Sequence, residues 1–449
     1  MTTALILLAA GKGTRMKSDL PKVLHPIAGA PMLAHAMRAG AALNPERVIV
    51  VAGHGAEAVM AAARNADERA QTVMQEKQLG TGHAVAQAAG ALEGFSGDVV
   101  VLYGDTPFVQ PQTLARMAEA RAANDIVVLG FDAADPGRYG RLIMAGDRLE
   151  RIVEFKDASN EERAITFCNS GIIMANAARI MDLVARLEND NAAGEYYLTD
   201  IIGLARADGL SATAIACDEA ETIGINSRAE LSMAEATFQA RARNDAMENG
   251  VTLPAPETVH FALDTHLGRD CIVEQNVVFG LGVTVETGAR IRAFSHIEDA
   301  HIARGAVVGP FARIRGGTEI AGHVKIGNFV ELKNAQLEEG VKVSHLSYVG
   351  DAHFGEDTNV GAGTITCNYD GVMKHRTTVG KRAFIGSNTM LVAPVSVGDD
   401  AMTASGSVIT KDVEPGALAI ARGEQVSKPG LAVKMMNMLK IRKKKQEQS

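Results

Sequence analysis

Residues 5–24 read LILLAAGKGTRMKSDLPKVL. An aliphatic run empties into a small-residue turn that holds Gly11 and Gly13, and Arg15 and Lys22 follow. Backbone N–H groups left uncovered by glycine form an anion-binding concavity. An arginine can fork onto phosphate oxygens, and a lysine adds a point charge. The turn is neither a Walker A loop nor a full GxGxxG. On residue types alone it reads as a phosphate cradle or as an ordinary strand-to-helix turn. A second reactive set lies far downstream, in SHLSYVGD (344–351) and TCNYDGVMKHRTT (366–378), with Arg315 and Lys333 before them. An imidazole near neutrality can serve as a general base, and clustered cations can hold an anionic substrate. The plainer reading is a polar outer face.

Two kinds of scaffold must position these groups. In the first half, strand-like runs LILL (5–8), RVIVVAG (47–53), TVM (72–74), DVVVLYG (98–104) and DIVVLGF (125–131) are separated by helical stretches such as 31–43 and 82–92. Continuous apolar strands between helices predict a mostly parallel, doubly wound α/β sheet. Ligands of such sheets sit beyond the carboxyl ends of the strands, where AAGKGTR and Tyr103-Gly104-Asp105 fall. Residues 227–249 are rich in helix formers and end at Gly250, with Pro254 and Pro256 close behind; they predict one long helix at a domain boundary. The expected division is a nucleotide domain over 1–226, a linker helix over 227–250 and a second domain over 251–449.

From about residue 259 an aliphatic or Phe residue recurs every sixth position: Leu267, Val273, Phe279, Val285, Ile291 and Ile297, then Ile302 to Leu332 after a slip of one. The series continues through Leu337, Val343, Val349, Phe354 and Val360 and returns from Val379 to Ile409, with Thr403 in phase. A period of six fits a β-solenoid whose short strands each donate one inward residue before a corner, three to a triangular coil. Coils bury apolar surface only against one another. Residues 366–378 break the phase and predict a loop leaving the solenoid.

The 449 residues allow two or three domains. A net charge of −8 argues against nucleic acid as a partner. The basic run KIRKKK (440–445) reads as a solvated tail. Aromatics make up only 4%, in keeping with a narrow solenoid interior. Cys168, Cys217, Cys271 and Cys367 show no CxxC pairing, so no zinc site or disulfide framework is expected, and a reduced cytoplasmic setting fits. No stretch approaches the ~20 apolar residues of a membrane span.

LAAGKGTRM followed by LPKVLHPIAGAPM resembles the signature of sugar-phosphate nucleotidyltransferases. QEKQLGTGHAV (75–85), YGDTPF (103–108), YGR (139–141), IVEFKDAS (152–159), CNSGI (168–172), EYYLTD (195–200) and GINSRAEL (224–231) follow in order. Joined to hexapeptide repeats, the series resembles the bifunctional N-acetylglucosamine-1-phosphate uridylyltransferase/glucosamine-1-phosphate N-acetyltransferase family. The resemblance implies a Rossmann-like nucleotidyltransferase domain, a long linker helix, a left-handed parallel β-helix and a homotrimer. It places Leu8, Ala9, Ala10, Gly11, Arg15 and Lys22 on UTP, and Gln75, Gly80 and Thr81 on the uracil. Tyr103, Gly104 and Asp105 would line the same site, and Asp105 and Asn226 would hold Mg²⁺ through hard oxygen donors. Gly140, Glu154, Asn169 and Asn226 would line the sugar-phosphate pocket. The implied chemistry is in-line attack by N-acetylglucosamine-1-phosphate on the α-phosphorus of UTP, releasing pyrophosphate.

For the solenoid the resemblance makes His345 the general base for transfer from acetyl-CoA to glucosamine-1-phosphate. Arg315, Lys333 and Lys374 would grip the phosphate, with Tyr348 and Asn359 beside them. Asn368, Tyr369, Ala362, Ser387, Ser405 and Arg422 would meet the acetyl donor. Ser405 departs from the family, where Ala is common. The rival reading is a single-activity sugar-1-phosphate nucleotidyltransferase whose solenoid only oligomerises.

Overall fold

The structure, a computed structural model, describes residues 2–447. Contact density divides the chain into two units. The first runs through Asp245 and takes in His260–Thr265; the second holds Ala246–Val259 and the chain from His266 onward. The long helix, Arg228–Glu248, therefore belongs mostly to the first unit.

In the first unit Thr3–Ala9, Arg47–Ala52, Asp98–Tyr103 and Ile126–Asp132 are strands buried along almost their whole length. They can be continuously aliphatic because both faces of the sheet are covered. Ile6, Val51, Val101 and Val128 pack on one side with Ile180, Leu183 and Ile201. Leu5, Leu7, Val50 and Val100 pack on the other with Leu33, Met37 and Leu114. The order is Ala212–Cys217, Ile126–Asp132, Phe167–Asn176, Asp98–Tyr103, Thr3–Ala9, Arg47–Ala52, Gln71–Met74. All these pairings are parallel except those of Phe167–Asn176, which runs against both neighbours. A hairpin, Arg141–Ala145 with Arg148–Val153, joins that strand through the pair Cys168 and Arg141.

The stretch 82–92 is not one helix. Thr81–Ala86 is helical, and Gly90–Leu92 forms a separate 3-10 turn. Gly90 inside the run costs about 1 kcal/mol relative to Ala in a helix, which favours the break. The other expected helix is present as Met32–Ala41.

The second unit is a parallel β-helix, consistent with the left-handed form. Its short strands stack into three columns, one per face of the coil. One column contains Ile291, Val308, Ile326, Val343, Val360 and Ile385. A second contains Ile297, Ile314, Leu332 and Val349. The third contains Val285, Ile302, Ile320, Leu337, Phe354 and Val379. Nearly every hexad residue is buried, Thr403 included; Leu267, at the open first coil, is only half-buried. Thr366 stays buried and in register, so the excursion begins after it, and the strand Thr377–Val379 resumes the stack. The basic run is solvated, as expected, but it is helical: it lies in the helix Leu431–Gln446, with every side chain exposed. Leu, Met, Lys and Arg are all strong helix formers, which accounts for this.

Candidate active sites

In the first unit the sequence motifs converge on a cleft of about 240 Å³ at the carboxyl ends of Thr3–Ala9 and Asp98–Tyr103. Leu8, Ala9, Ala10, Gly11, Lys22, Gln75, Gly80, Thr81, Tyr103 and Asp105 line it. Two glycines are required by their surroundings. Gly13 has φ 59°, and a Cβ there would stand 2.6 Å from Lys22 Cβ. Gly80 has φ 113°, and its Cβ would meet the Tyr196 carbonyl oxygen at 2.6 Å. Only glycine allows both the backbone and the approach. Arg15 is exposed, on the turn Thr14–Met16 that buries Met16, and lies outside the cleft lining.

Lys22 Nζ donates to the Asp105 carboxylate and, at 2.9 Å, to Asn226 Oδ1. Asp105 does not cap the helix Pro111–Arg121, whose N-cap is Gln110. Two oxygens from distant parts of the chain thus converge on one cation. Asn226 is itself fixed, donating to the Gly224 carbonyl while its backbone N–H donates to Glu230. This oxygen-only pair suits Mg²⁺, which takes few protein ligands and completes its shell with phosphate and water.

Gln75 is buried and donates its amide to the Gly80 carbonyl at 3.1 Å, beside His83 Nδ1 at 3.0 Å. The Thr81 hydroxyl oxygen accepts from Leu198 N–H at 3.1 Å and bonds Tyr103, so it is already engaged. Burial first, then the carboxylates of Asp105 and Glu154, raise the Tyr103 phenol pKa, which keeps it protonated.

Gly140, Glu154 and Asn169 gather at a neighbouring place. Asn169 N–H donates to the Gly140 carbonyl at 2.9 Å, and a Cβ on Gly140 would stand 3.4 Å from Glu154 Oε1. Burial raises the Glu154 pKa, helped by Asp200, Asp157 and Glu195, against a 3.2 Å hydrogen bond from Thr199. Residue types alone did not single out Thr199, Glu195 or Gln78. Gln78 donates to the Ala10 carbonyl inside the cleft.

In the second unit His345 is exposed at the end of the strand Lys342–His345. Its Nδ1 lies 2.9 Å from Oδ1 of Asn328, its neighbour one coil back. A proton on Nδ1 donated to that oxygen leaves the Nε2 lone pair able to accept a proton. Residue types do not single out Asn328; only its position before a coil corner, in IGN, points to it. Down the same corner Gly363 N–H donates to the His345 carbonyl, Asn388 N–H to Ala362 and Gly406 N–H to Ser387. Ala362, Ser387 and Ser405 thus follow His345 on successive coils, and Arg422 donates to the Ser405 carbonyl at 2.7 Å.

Lys333 and Lys374 face each other. Lys374, by hydrogen bonding and charge, and then Arg315 hold the Lys333 pKa below its usual value. Arg315 also pairs with Glu331 at 2.9 Å. Like charges this close raise one another's energy, which an anion placed between them would relieve. The carboxylate beneath them is Asp351. Burial would raise its pKa, but Asn334, Asn368, Lys374 and Lys333 hold it low. Asn368 and Asn334 both donate to it, tying the excursion to the coil. Tyr348 and Asn359 are half-buried on two different faces, and Tyr369 is exposed.

A wound nucleotide-binding sheet followed by a hexapeptide solenoid, each with its own polar cluster, defines a two-site transferase. The MobA-like NTP transferase domain family matches residues 5–171, and the hexapeptide repeat of succinyl-transferase matches residues 376–411. Bifunctional protein GlmU of Ruegeria sp. (strain TM1040) is 67% identical, covering 99% of this chain and 99% of its own. That of Roseobacter denitrificans is 64% identical over 100% and 99%, and that of Paracoccus denitrificans 60% over 98% and 98%. The chain belongs to the bifunctional GlmU family. It is an acetyltransferase and a uridylyltransferase of UDP-N-acetylglucosamine synthesis, acting on small-molecule substrates. Among the described residues no helix is long and apolar enough to cross a membrane.

Proposed function

We propose that residues 1–226 carry uridylyl transfer and residues 251–449 carry acetyl transfer, joined by the helix over 227–250. The observation that supports this most is that Lys22, Asp105 and Asn226 meet at one point beside the Leu8–Gly11 turn. Glucosamine-1-phosphate is acetylated first, and the product is then uridylylated in a cytoplasmic homotrimer.

In the solenoid, His345 Nε2 takes a proton from the sugar amine so that the free amine attacks the acetyl-CoA thioester, releasing the thiol. Lys333, Lys374 and Arg315 hold the phosphate, and Tyr348 and Asn359 orient the sugar. Asn368, Tyr369, Ala362, Ser387, Ser405 and Arg422 hold the acetyl donor. In the sheet, Leu8, Ala9, Ala10, Gly11, Arg15 and Lys22 hold the triphosphate, and Gln75, Gly80 and Thr81 read the uracil. Buried amide partners reject a wrong base because it leaves them unpaired. Tyr103 and Gly104 wall the site. Gly140, Glu154, Asn169 and Asn226 set the sugar phosphate in line with the α-phosphorus. Asp105 and Asn226 would hold Mg²⁺, which neutralises phosphate charge when bound. No protein nucleophile is required; alignment and charge stabilisation carry the rate.

One incubation tests the whole reading: protein with glucosamine-1-phosphate, acetyl-CoA, UTP and Mg²⁺. Free thiol, pyrophosphate and UDP-N-acetylglucosamine are expected together. Pyrophosphate formation confined to added N-acetylglucosamine-1-phosphate, with no thiol, would leave only the uridylyl half.

A further inference from the structure

Arg141 is the largest fully buried side chain, only 1% exposed. Among the described residues no carboxylate pairs with it. Its guanidinium instead donates to three backbone carbonyls: Tyr139, Gly137 at 3.2 Å and Arg163 at 3.2 Å. Nε has no partner. The guanidinium carbon lies 5.8 Å from the centre of the Phe155 ring, which Arg163 also covers at 4.7 Å. Arg163 Nε in turn donates to the Phe155 carbonyl at 3.3 Å.

Burying an unpaired charge is costly, and an apolar side chain would fill the same volume without that cost. What the planar fork alone supplies is several carbonyls fixed in one plane. Those carbonyls, and the clamped ring, adjoin all three sugar-side candidates. Gly140 lies between Tyr139 and Arg141. Glu154 precedes Phe155. Asn169 follows Cys168, the cross-strand partner of Arg141, and donates to the Gly140 carbonyl.

We propose that Arg141 is a positioning residue for uridylyl transfer. It locks the Gly137–Gly140 loop and the Glu154–Phe155 segment so that Gly140, Glu154 and Asn169 present one rigid surface to the sugar of the acceptor phosphate. This rests on the function proposed above. Arg141 touches no substrate; it acts through these three residues. The UTP side of the cleft, built on the Leu8–Gly11 turn and Gln75, does not depend on it.

The test is Arg141→Lys, which keeps the charge and the aliphatic stem but cannot fork. The KM for N-acetylglucosamine-1-phosphate is expected to rise, and kcat/KM for it to fall by about 10–100-fold, the scale of a small misplacement. The KM for UTP and acetyl transfer by the same chain should hold. An unchanged sugar-phosphate KM overturns the proposal. So does a parallel rise in both KM values, which would mark a general support of the sheet. If Arg141→Lys does not fold, Phe155→Leu leaves the carbonyl bonds and removes the clamped ring. The same split is then expected, and its absence overturns the proposal. A wild-type chain that forms no pyrophosphate would instead remove the function beneath it, and is seen before any variant is made.

Discussion

The ammonium of Lys22 is bonded to the Asp105 carboxylate, at the point where Asn226 Oδ1 also converges. A protein cation thus occupies the oxygen pair proposed for Mg²⁺. Asp105→Ala should abolish uridylyl transfer and leave acetyl transfer largely intact, as followed by pyrophosphate and thiol release. Equal loss of both would place Asp105 outside this role.

Lys22→Met should separate two properties of the same point. Without the ammonium, Asp105 and Asn226 are free to take a metal, so Mn²⁺ should bind the nucleotide-free variant more tightly than the parent, as read by electron paramagnetic resonance. Uridylyl transfer should nonetheless fall by about 10²–10³-fold, the usual scale for removing one charge-stabilising donor. Unchanged Mn²⁺ binding would mean that the lysine does not compete for the site.

His345→Ala should cost acetyl transfer about 10²–10⁴-fold, the ordinary contribution of a general base. Asn328→Ala should cost less and act on kcat rather than on substrate binding, since Asn328 only orients the ring. Near-normal turnover in the His345 variant would remove it from the mechanism.

Glu154→Gln tests a stability cost at the sugar site. The raised carboxyl pKa means that the folded state disfavours the ionised form. Below the unfolded pKa both states are protonated and nothing is lost. As pH rises past it, the unfolded chain ionises first and the fold loses stability. The variant should therefore melt higher than the parent at pH 7.5 and about equally at pH 4, while its KM for the sugar phosphate rises. A melting difference independent of pH would argue against an ionisation effect.

Asp370→Asn probes the excursion that carries Asn368, Tyr369 and Lys374. The carboxylate accepts from His375 at 2.7 Å and from the N–H groups of Met373 and Val372, which pull its pKa down to about 2. A depressed acid stabilises its turn above the unfolded pKa and loses that effect as pH falls toward the folded one. Acetyl transfer by the variant should show a raised KM for glucosamine-1-phosphate, with uridylyl transfer untouched. An unaltered KM would show that the turn holds without the charge.

Much of this architecture is written in residue periodicity. The aliphatic runs at 5–8, 98–104 and 125–131 announce themselves because strands covered on both faces need no polar alternation. The hexads do so because each of the three short strands in a coil turns one side chain inward before the corner. Phe167–Asn176 escaped that reading. Its Cys168, Asn169, Ser170 and Gly171 break the aliphatic run, and its register shifts between Asn169 and Ile173. It is also antiparallel, which strand composition does not signal. Asp351 gives no such signal for a related reason: a carboxylate beside two lysines is a fact of stacking, and its partners Asn334 and Asn368 lie on neighbouring coils. Arg141 stands in YGR, yet nothing in those three residues tells a buried fork from a surface charge.

The corner that carries His345, Ala362, Ser387 and Ser405 advances by one graduation per coil. Parallel neighbours are spaced about 4.8 Å apart, so the three steps from the imidazole to Ser405 measure roughly 14 Å. With the acetyl donor placed along it as proposed, that edge would act as a molecular ruler, the reach of the carrier being set by counting coils. Splicing one whole turn between His345 and Arg422 would keep the interior in phase and lengthen the accepted carrier by a single division.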